Sequence, residues 1–300
     1  MNALVNIDGR LVRPEDARVS VFDRGFLFGD SVYETLRTYH GVPFLLDRHL
    51  ARLGRSASRL ALPLPDLAHI ATEAMRTHRE SHHAESSLRI IVTRGSEPGV
   101  VNLDPTSARS APTLVVIARE FAGFPAEFYS RGVSVAIAGV QRNPKQSLDP
   151  AIKSGNYLNN VMAMLTPNRG DAFECLMTDR DGRLTEATTA NVWIVKGGVV
   201  RTPAFEVGLL DGITRGFLFE IGRGAGIEMC EAPLQPSDLF DADEAFLSAS
   251  LKEVLPVVAA DGRTIGSGAP GPITRRLHAL YRAAIERLTT GARDADRPTR

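Results

Sequence analysis

The 300-residue chain is poor in cysteine, lysine and tryptophan: two, four and one respectively. Two cysteines, Cys175 and Cys230, make no disulfide framework, which excludes a stapled secreted domain and leads to the expectation of a reducing, cytoplasmic setting. Both are read as small core residues. Neither sign of charge is in surplus, because 35 Lys and Arg balance 35 Asp and Glu at a pI of about 7.1. Nothing therefore marks nucleic acid or an anionic membrane as a partner. No apolar run approaches the roughly 20 residues of a membrane span. The opening M-N-A-L-V-N-I-D lacks the basic start and apolar middle of a signal peptide. His82 and His83 have no third ligand beside them, so no metal site is expected. Long-period repeats and low-complexity segments are missing too. What is present, 43% hydrophobic and 23% charged residues, is a globular composition at a length that suits two domains.

The scarcity of lysine is informative. Of 35 basic residues 31 are arginine, and only Lys145, Lys153, Lys196 and Lys252 remain. An amine can lose its proton and attack a carbonyl, whereas a guanidinium near neutral pH cannot. Lys196 lies in the hairpin-turn sequence I-V-K-G-G, Lys145 in the polar loop R-N-P-K-Q, and Lys252 just past S-A-S. Lys153 alone sits between apolar Ala151-Ile152 and a small, hydrogen-bonding run, S-G-N-Y. The chain then continues through 160–165, N-V-M-A-M-L, which reads as a buried helix. A desolvated lysine at that place is a candidate Schiff-base nucleophile.

The remaining segments take order around it. Residues 3–7 and 11–12, joined by Asp8-Gly9, predict a two-residue hairpin. In D-R-G-F-L-F-G-D-S-V-Y-E, Gly25 and Gly29 bring the backbone close to a neighbour. From Val32, the set Val32, Glu34, Leu36, Thr38 alternates with Tyr33, Thr35, Arg37, Tyr39, a strand pattern with one polar face. Residues 42–46 predict another strand. Residues 46–62 predict a helix in which Arg48, Arg52, Arg55 and Arg59 form either a solvated stripe or an inward reach to an anion. Asp66 caps a helix running to about residue 80. Residues 87–95 and 113–118 predict strands, and Arg89 on an apolar strand must meet an anion or water. In the second half, strands are expected over 132–140, 172–177, 190–195 and 199–203. Gly208 to Arg215, G-L-L-D-G-I-T-R, leads into a helix at 216–222, and its free N–H groups suit a phosphate. The S-A-S turn ending at Ser250 presents further small donors. A closing helix is expected over 273–288.

Glu186-x-Thr188-x-x-Asn191, followed by Thr202 and then Leu210-x-Gly212-Ile213-x-Arg215, resembles the signature of the fold-type IV pyridoxal-phosphate enzymes, the class IV aminotransferases. The amino-terminal D-R-G-F-L-F-G-D-S-V-Y-E is similar to that family's opening motif, and the likeness covers about residues 3–285. Trp193 stands where the family usually has Phe or Tyr. The resemblance implies an α+β, two-domain architecture with the cofactor in the cleft between domains. The expected boundaries are 1–118 for a smaller domain, 119–127 for a linker, 128–288 for a cofactor-binding domain and 289–300 for a disordered tail.

Carried over position by position, the resemblance makes Lys153 the Schiff-base lysine and proton shuttle, and Glu186 the partner of the pyridine nitrogen. It gives the phosphate to Arg52, Ile213, Thr214 and Ser250, one ring face to Leu210 and the phenolic oxygen to Tyr157. Tyr33, Arg37, Arg89 and Leu251 are the substrate candidates. After the T-R-G element the segment S-E-P-G-V-V lacks the Arg and His with which D-amino acid enzymes hold a carboxylate. The Tyr and Arg that branched-chain enzymes carry two apart are Arg89 and Ile91 in this chain. The implied activity is transfer of an amino group from a branched-chain-like L-amino acid to a 2-oxo acid, 2-oxoglutarate, by a homodimer. An aminodeoxychorismate lyase, releasing pyruvate, and a D-amino acid or R-amine transaminase are the alternatives.

Overall fold

The computed structural model describes residues 3–107 and 110–295. The chain divides into two compact units. The first takes the chain up to Ala122 together with Ile152–Asn156 and the stretch from Leu288 onward, and the second takes Gly123–Ala151 and Tyr157–Arg287. The segment bearing Lys153 thus groups with the first unit, apart from the residues on either side of it.

In the first unit, β1 (Ala3–Ile7) and β2 (Arg10–Val12) form the expected hairpin. Asp8 and Gly9 both take positive φ, 49° and 83°, as a mirror-image turn between right-twisted strands requires. A short helix α1 (Arg24–Phe28) leads into β3 (Ser31–Tyr39) and the two-residue β4 (Val42–Pro43). The strand expected over 42–46 stops there because Leu45 turns into the left-handed region, φ 54°, and starts α2 (Leu46–Arg59). Asp66 accepts from the Ala68 N–H and caps α3 (Leu67–Ser81). Strands β5 (Ser86–Thr93) and β6 (Thr113–Glu120) complete an antiparallel sheet of order β2-β1-β6-β5-β3-β4. One face of it buries Val32, Leu36, Leu88, Ile90, Val92, Leu114 and Val116 against Leu50, Leu53 and Ala57 of α2 and Ile70 and Ala74 of α3.

The second unit begins with α4 (Ala126–Arg131) and β7 (Val133–Ile137), so the linker expected at 119–127 overlaps structured residues at both ends. After α5 (Leu158–Met164) come β8 (Glu174–Thr178), β9 (Leu184–Ala187), β10 (Asn191–Lys196) and β11 (Val199–Pro203). Helix α6 (Ile213–Gly224), β12 (Met229–Ala232) and α7 (Pro236–Phe240) follow, then β13 (Glu244–Ala249), β14 (Glu253–Ala260), β15 (Arg263–Thr264) and α8 (Pro272–Ala295). The strands form one mixed sheet of order β12-β11-β10-β13-β14-β7-β8-β9, with β15 paired to β14. Its core gathers Val135, Leu176, Val192, Leu247 and Leu255. Helices packed on antiparallel and mixed sheets make this an α+β protein.

Two expectations are corrected. Helix α5 is not buried: Leu158, Val161, Met162 and Leu165 are exposed, up to 70% at Leu158, and only Asn160 and Ala163 turn inward. A seven-residue helix has one inward stripe, and here the small and polar residues occupy it. The closing helix does not end at 288 either, since α8 continues to Ala295. Thr289, expected in a disordered tail, is buried with its hydroxyl 2.9 Å from His40 Nδ1. Residues 296–300 of that expected tail lie outside the described residues.

Candidate active site

In the first unit the Lys153 segment lies along the edge of β3. The Tyr33 N–H donates to the Lys153 carbonyl at 2.9 Å, and the Gly155 N–H donates to the Ser31 carbonyl at 2.9 Å. On the other side the Lys153 N–H donates to Ser56 Oγ of α2 at 3.1 Å. A Cβ at position 155 would stand 2.3 Å from Ser31 Oγ, so only glycine permits this approach. Asn156 Nδ2 donates to the Gly29 carbonyl at 3.1 Å, which accounts for the second glycine of the D-R-G-F-L-F-G stretch. The Lys153 side chain is buried, and its Nζ lies 4.5 Å from the centre of the Tyr33 ring. The Arg89 guanidinium lies 4.1 Å from the centre of that same ring.

On the opposite face of β3 stands Glu34, fully buried. Its Oε1 accepts from Arg52 Nε and its Oε2 from Arg52 Nη2, both at 2.7 Å, a bidentate pair, and His49 Nδ1 lies 2.7 Å from the same Oε2. Burial alone would raise the Glu34 carboxyl, but Arg52 and then His49 override it and hold it at about 2. Burial pushes the His49 imidazole below its ordinary value; Glu34 opposes that, while the charges of Arg52 and Lys153 add to it. Arg52 is therefore not part of a solvated stripe, whereas Arg55 and Arg59 are exposed. Arg37 is packed between the rings of Tyr39 and Phe121, 4.2 and 4.9 Å from their centres.

In the second unit Glu186 is buried on β9 with both oxygens held. Oε1 accepts from Arg142 Nε at 2.9 Å and Oε2 from the Leu210 N–H at 3.1 Å. The Leu210 carbonyl accepts from Asn191 Nδ2 at 3.1 Å, so Leu210 is tied at both backbone groups to the E-x-T-x-x-N element. Arg142 Nη1 also donates to Asn159 and Asn160 Oδ1, at 3.2 Å each, and Asn160 Nδ2 donates to the Thr188 carbonyl at 2.7 Å. Sequence reasoning passed over Arg142 because it stands in the polar loop 141–150. Tyr157 stands at the N-cap of α5. Gly212 is the N-cap of α6 and has no side chain to cap it, so Ile213 and Thr214 open the helix with their N–H groups uncapped by a side chain. Ser250 and Leu251 form the turn between β13 and β14. That turn is fixed by the Lys252 N–H donating to the Ala249 carbonyl at 3.1 Å. Lys252 is also buried: its Nζ pairs with Glu174 and Thr189, and Glu174 accepts from the hydroxyls of Thr188 and Thr189. The loop behind Glu186 and the turn that bears Ser250 are thereby joined through one buried carboxylate.

Among the described residues no group of three or more His, Cys, Asp and Glu is placed to hold a metal ion. The first unit offers a sheltered amine. The second offers a fixed carboxylate and a helix start without a side-chain cap.

Residues 31–260 match the family model described as amino-transferase class IV. The chain is 37% identical to a putative branched-chain-amino-acid aminotransferase of Methanocaldococcus jannaschii, over 93% of this chain and 95% of that one. It is 32% identical to a D-alanine aminotransferase of Bacillus licheniformis, over 94% and 96%. Among solved structures it is similar to the branched-chain amino acid aminotransferase of Escherichia coli, at a TM-score of 0.87 and 28% identity over 94% of each chain.

Proposed function

The chain belongs to the class IV aminotransferases, and on that premise we propose that it transfers an amino group from a branched-chain-like hydrophobic L-amino acid to 2-oxoglutarate. Class IV aminotransferases use pyridoxal 5'-phosphate, whose ring accepts the electron pair released when a proton leaves the carbon bearing the amino group. Taken unit by unit, the chemistry of the residues suits such a group. The Lys153 amine is buried against an aromatic ring, out of bulk water, and is the group that would attack the cofactor's aldehyde. Glu186, held at both oxygens, would face the ring nitrogen and keep it protonated. The α6 start at Ile213 and Thr214, with Arg52 and Ser250, would hold the phosphate. Leu210 would cover one ring face and Tyr157 would hydrogen-bond the phenolic oxygen. Lys153 Nζ would take up and return the proton at the substrate carbon that bears the amino group.

The sheltered Lys153 amine is the observation that carries the chemistry. The donor class rests on the 37% identity and on the apolar Ile91, which pairs with Tyr33 across the strands. A homodimer belongs to the same proposal, because the exposed stripe of Leu158, Val161, Met162 and Leu165 is a surface that a second copy would cover. So does a cytoplasmic setting, since Cys175 and Cys230 are free thiols. The likeness to a D-alanine aminotransferase favours a D-amino acid donor as the second reading.

Loaded with pyridoxal phosphate, the purified protein is expected to be yellow, and borohydride should fix the cofactor on a peptide containing Lys153. A protein that stays colourless, or a label found elsewhere, removes the aminotransferase chemistry. Single half-reactions with L-leucine, L-isoleucine, D-alanine, an R-amine and aminodeoxychorismate then select the substrate. Pyruvate released from aminodeoxychorismate, without return of the cofactor by 2-oxoglutarate, would replace transamination by the lyase.

A further inference from the structure

We propose that Glu253, gripped by His278 and Arg282 of α8, is a positioning residue that holds the Ser250 turn in the shape that takes a phosphate; this rests on the phosphate role proposed above for Ser250. The turn joins β13 to β14 and has three residues, 250–252, between the paired Ala249 and Glu253. The Lys252 N–H donates to the Ala249 carbonyl at 3.1 Å. Glu253 follows with φ 58°, in the left-handed region. A three-residue hairpin turn places such a residue at this point, and glycine is what the position calls for.

A glutamate there bears backbone strain, and it is fully buried as well. Strain and a buried charge persist together only where the surroundings fix the side chain. The carboxylate of Glu253 is fixed from α8. Its Oε2 accepts from Arg282 Nε at 2.6 Å, and His278 Nε2 lies 2.9 Å from the same oxygen. The His278 ring stacks on Tyr129 of α4, with 4.8 Å between centres and 10° between planes. The Tyr129 hydroxyl in turn donates to the Lys252 carbonyl at 3.3 Å. The Lys252 side chain is held elsewhere, by Glu174 of β8 and by Thr189. Two successive residues of opposite charge are thus fastened, one to α8 and the other to β8.

The turn alone does not call for this arrangement. Glycine would close it without strain and would leave His278 and Arg282, both partly exposed, to water. What glycine would lose is stiffness next to Ser250. A short turn of small residues has many accessible conformations, and a ligand that needs one of them must order it on binding. With Lys252 and Glu253 fastened, the turn is ordered before the phosphate arrives. A carboxylate is no ligand for phosphate, so Glu253 acts on that anion through the turn and not by contact.

The test is a fluorescence titration of the full-length protein, freed of cofactor, with pyridoxal phosphate and with pyridoxal, the same aldehyde lacking the phosphate. Glu253→Gly keeps the left-handed turn accessible and should fold. It should weaken pyridoxal phosphate about tenfold, the scale of one hydrogen bond to a charged group, and leave the binding of pyridoxal as in the wild type. Arg282→Met, a change at a half-exposed position of α8, should weaken pyridoxal phosphate selectively in the same way, and Arg282→Lys should restore the wild-type ratio of the two constants. Ser250→Ala should give the same selective loss, and combining it with Glu253→Gly should add little, because both act on one contact. Equal weakening of both aldehydes would make Glu253 a residue of the fold alone and overturn the proposal. So would full additivity with Ser250→Ala, or variants that bind pyridoxal phosphate like the wild type. A wild type that binds the two aldehydes equally has no phosphate site, which removes the phosphate role of Ser250 and the positioning role with it. A wild type that binds neither ends the cofactor reading itself.

Discussion

The buried Glu34–Arg52–His49 cluster permits a quantitative test of what holds the Lys153 side of the first unit together. Glu34→Gln keeps the shape of the side chain and removes its charge. Arg52 would then sit buried beside a neutral amide and lose its charged, two-point acceptor, while His49 would lose the carboxylate oxygen 2.7 Å from its Nδ1. Breaking a buried pair from one side costs about 3–5 kcal/mol. The depressed carboxyl, which has the same two partners as its cause, is of the same scale. A carboxyl held at about 2 against an ordinary 4.5 corresponds to roughly 3 kcal/mol at about 1.4 kcal/mol per unit. The sign follows from the depressed value: this stabilisation is complete above pH 4.5 and is lost as pH falls towards 2. His49, also depressed from 6.5, adds an earlier stage, with its stabilisation present above pH 6.5 and eroding below it. Hydrogen exchange resolved to peptides of α2 and β3 reads the first unit apart from the second. It should show a Glu34→Gln loss of about 3 kcal/mol at pH 7 that shrinks steadily below pH 4. A loss under about 1 kcal/mol at pH 7, or one that is the same at pH 7 and pH 2.5, would refute the pairing as the source of order.

Two further substitutions probe the second unit. Lys252→Met leaves Glu174 buried with only the Thr188 and Thr189 hydroxyls as donors, and should destabilise that unit by about 3–5 kcal/mol. Adding Glu174→Gln should recover part of the loss, and strict additivity in a urea-unfolding cycle would show that the two side chains do not interact. Gly212→Ala would place a methyl carbon 1.9 Å from Asn191 Oδ1, at the amide that holds the Leu210 carbonyl. The loss of that bond should weaken pyridoxal phosphate binding about tenfold. An unchanged dissociation constant in a fluorescence titration would remove the α6 start from the phosphate site.

Much of this protein was legible from local patterns, because local chemistry decides those elements. The Asp8-Gly9 turn, the Asp66 cap and the alternation along β3 follow from which residues tolerate a positive φ, accept a backbone N–H or face a core. Helix α5 shows where local pattern stops deciding. Its methionines, leucines and valine announce burial, but composition does not say whether the covering surface is in the same chain, and here Leu158 and Val161 are left exposed in it. The charged pairs were hidden for a different reason. Arg52 is 18 residues from Glu34, Arg142 is 44 from Glu186, and Lys252 is 78 from Glu174. No periodicity links such partners, and each cation taken alone resembles an ordinary surface residue. What the sequence does carry is the anion's violation of its own surroundings. Glu34 falls on the Val32 and Leu36 side of a strand, and Glu174 opens the apolar run Cys175-Leu176-Met177. A carboxylate in such a place costs several kcal/mol unless a cation reaches it. An acid on an apolar face therefore predicts a buried Arg or Lys elsewhere in the chain.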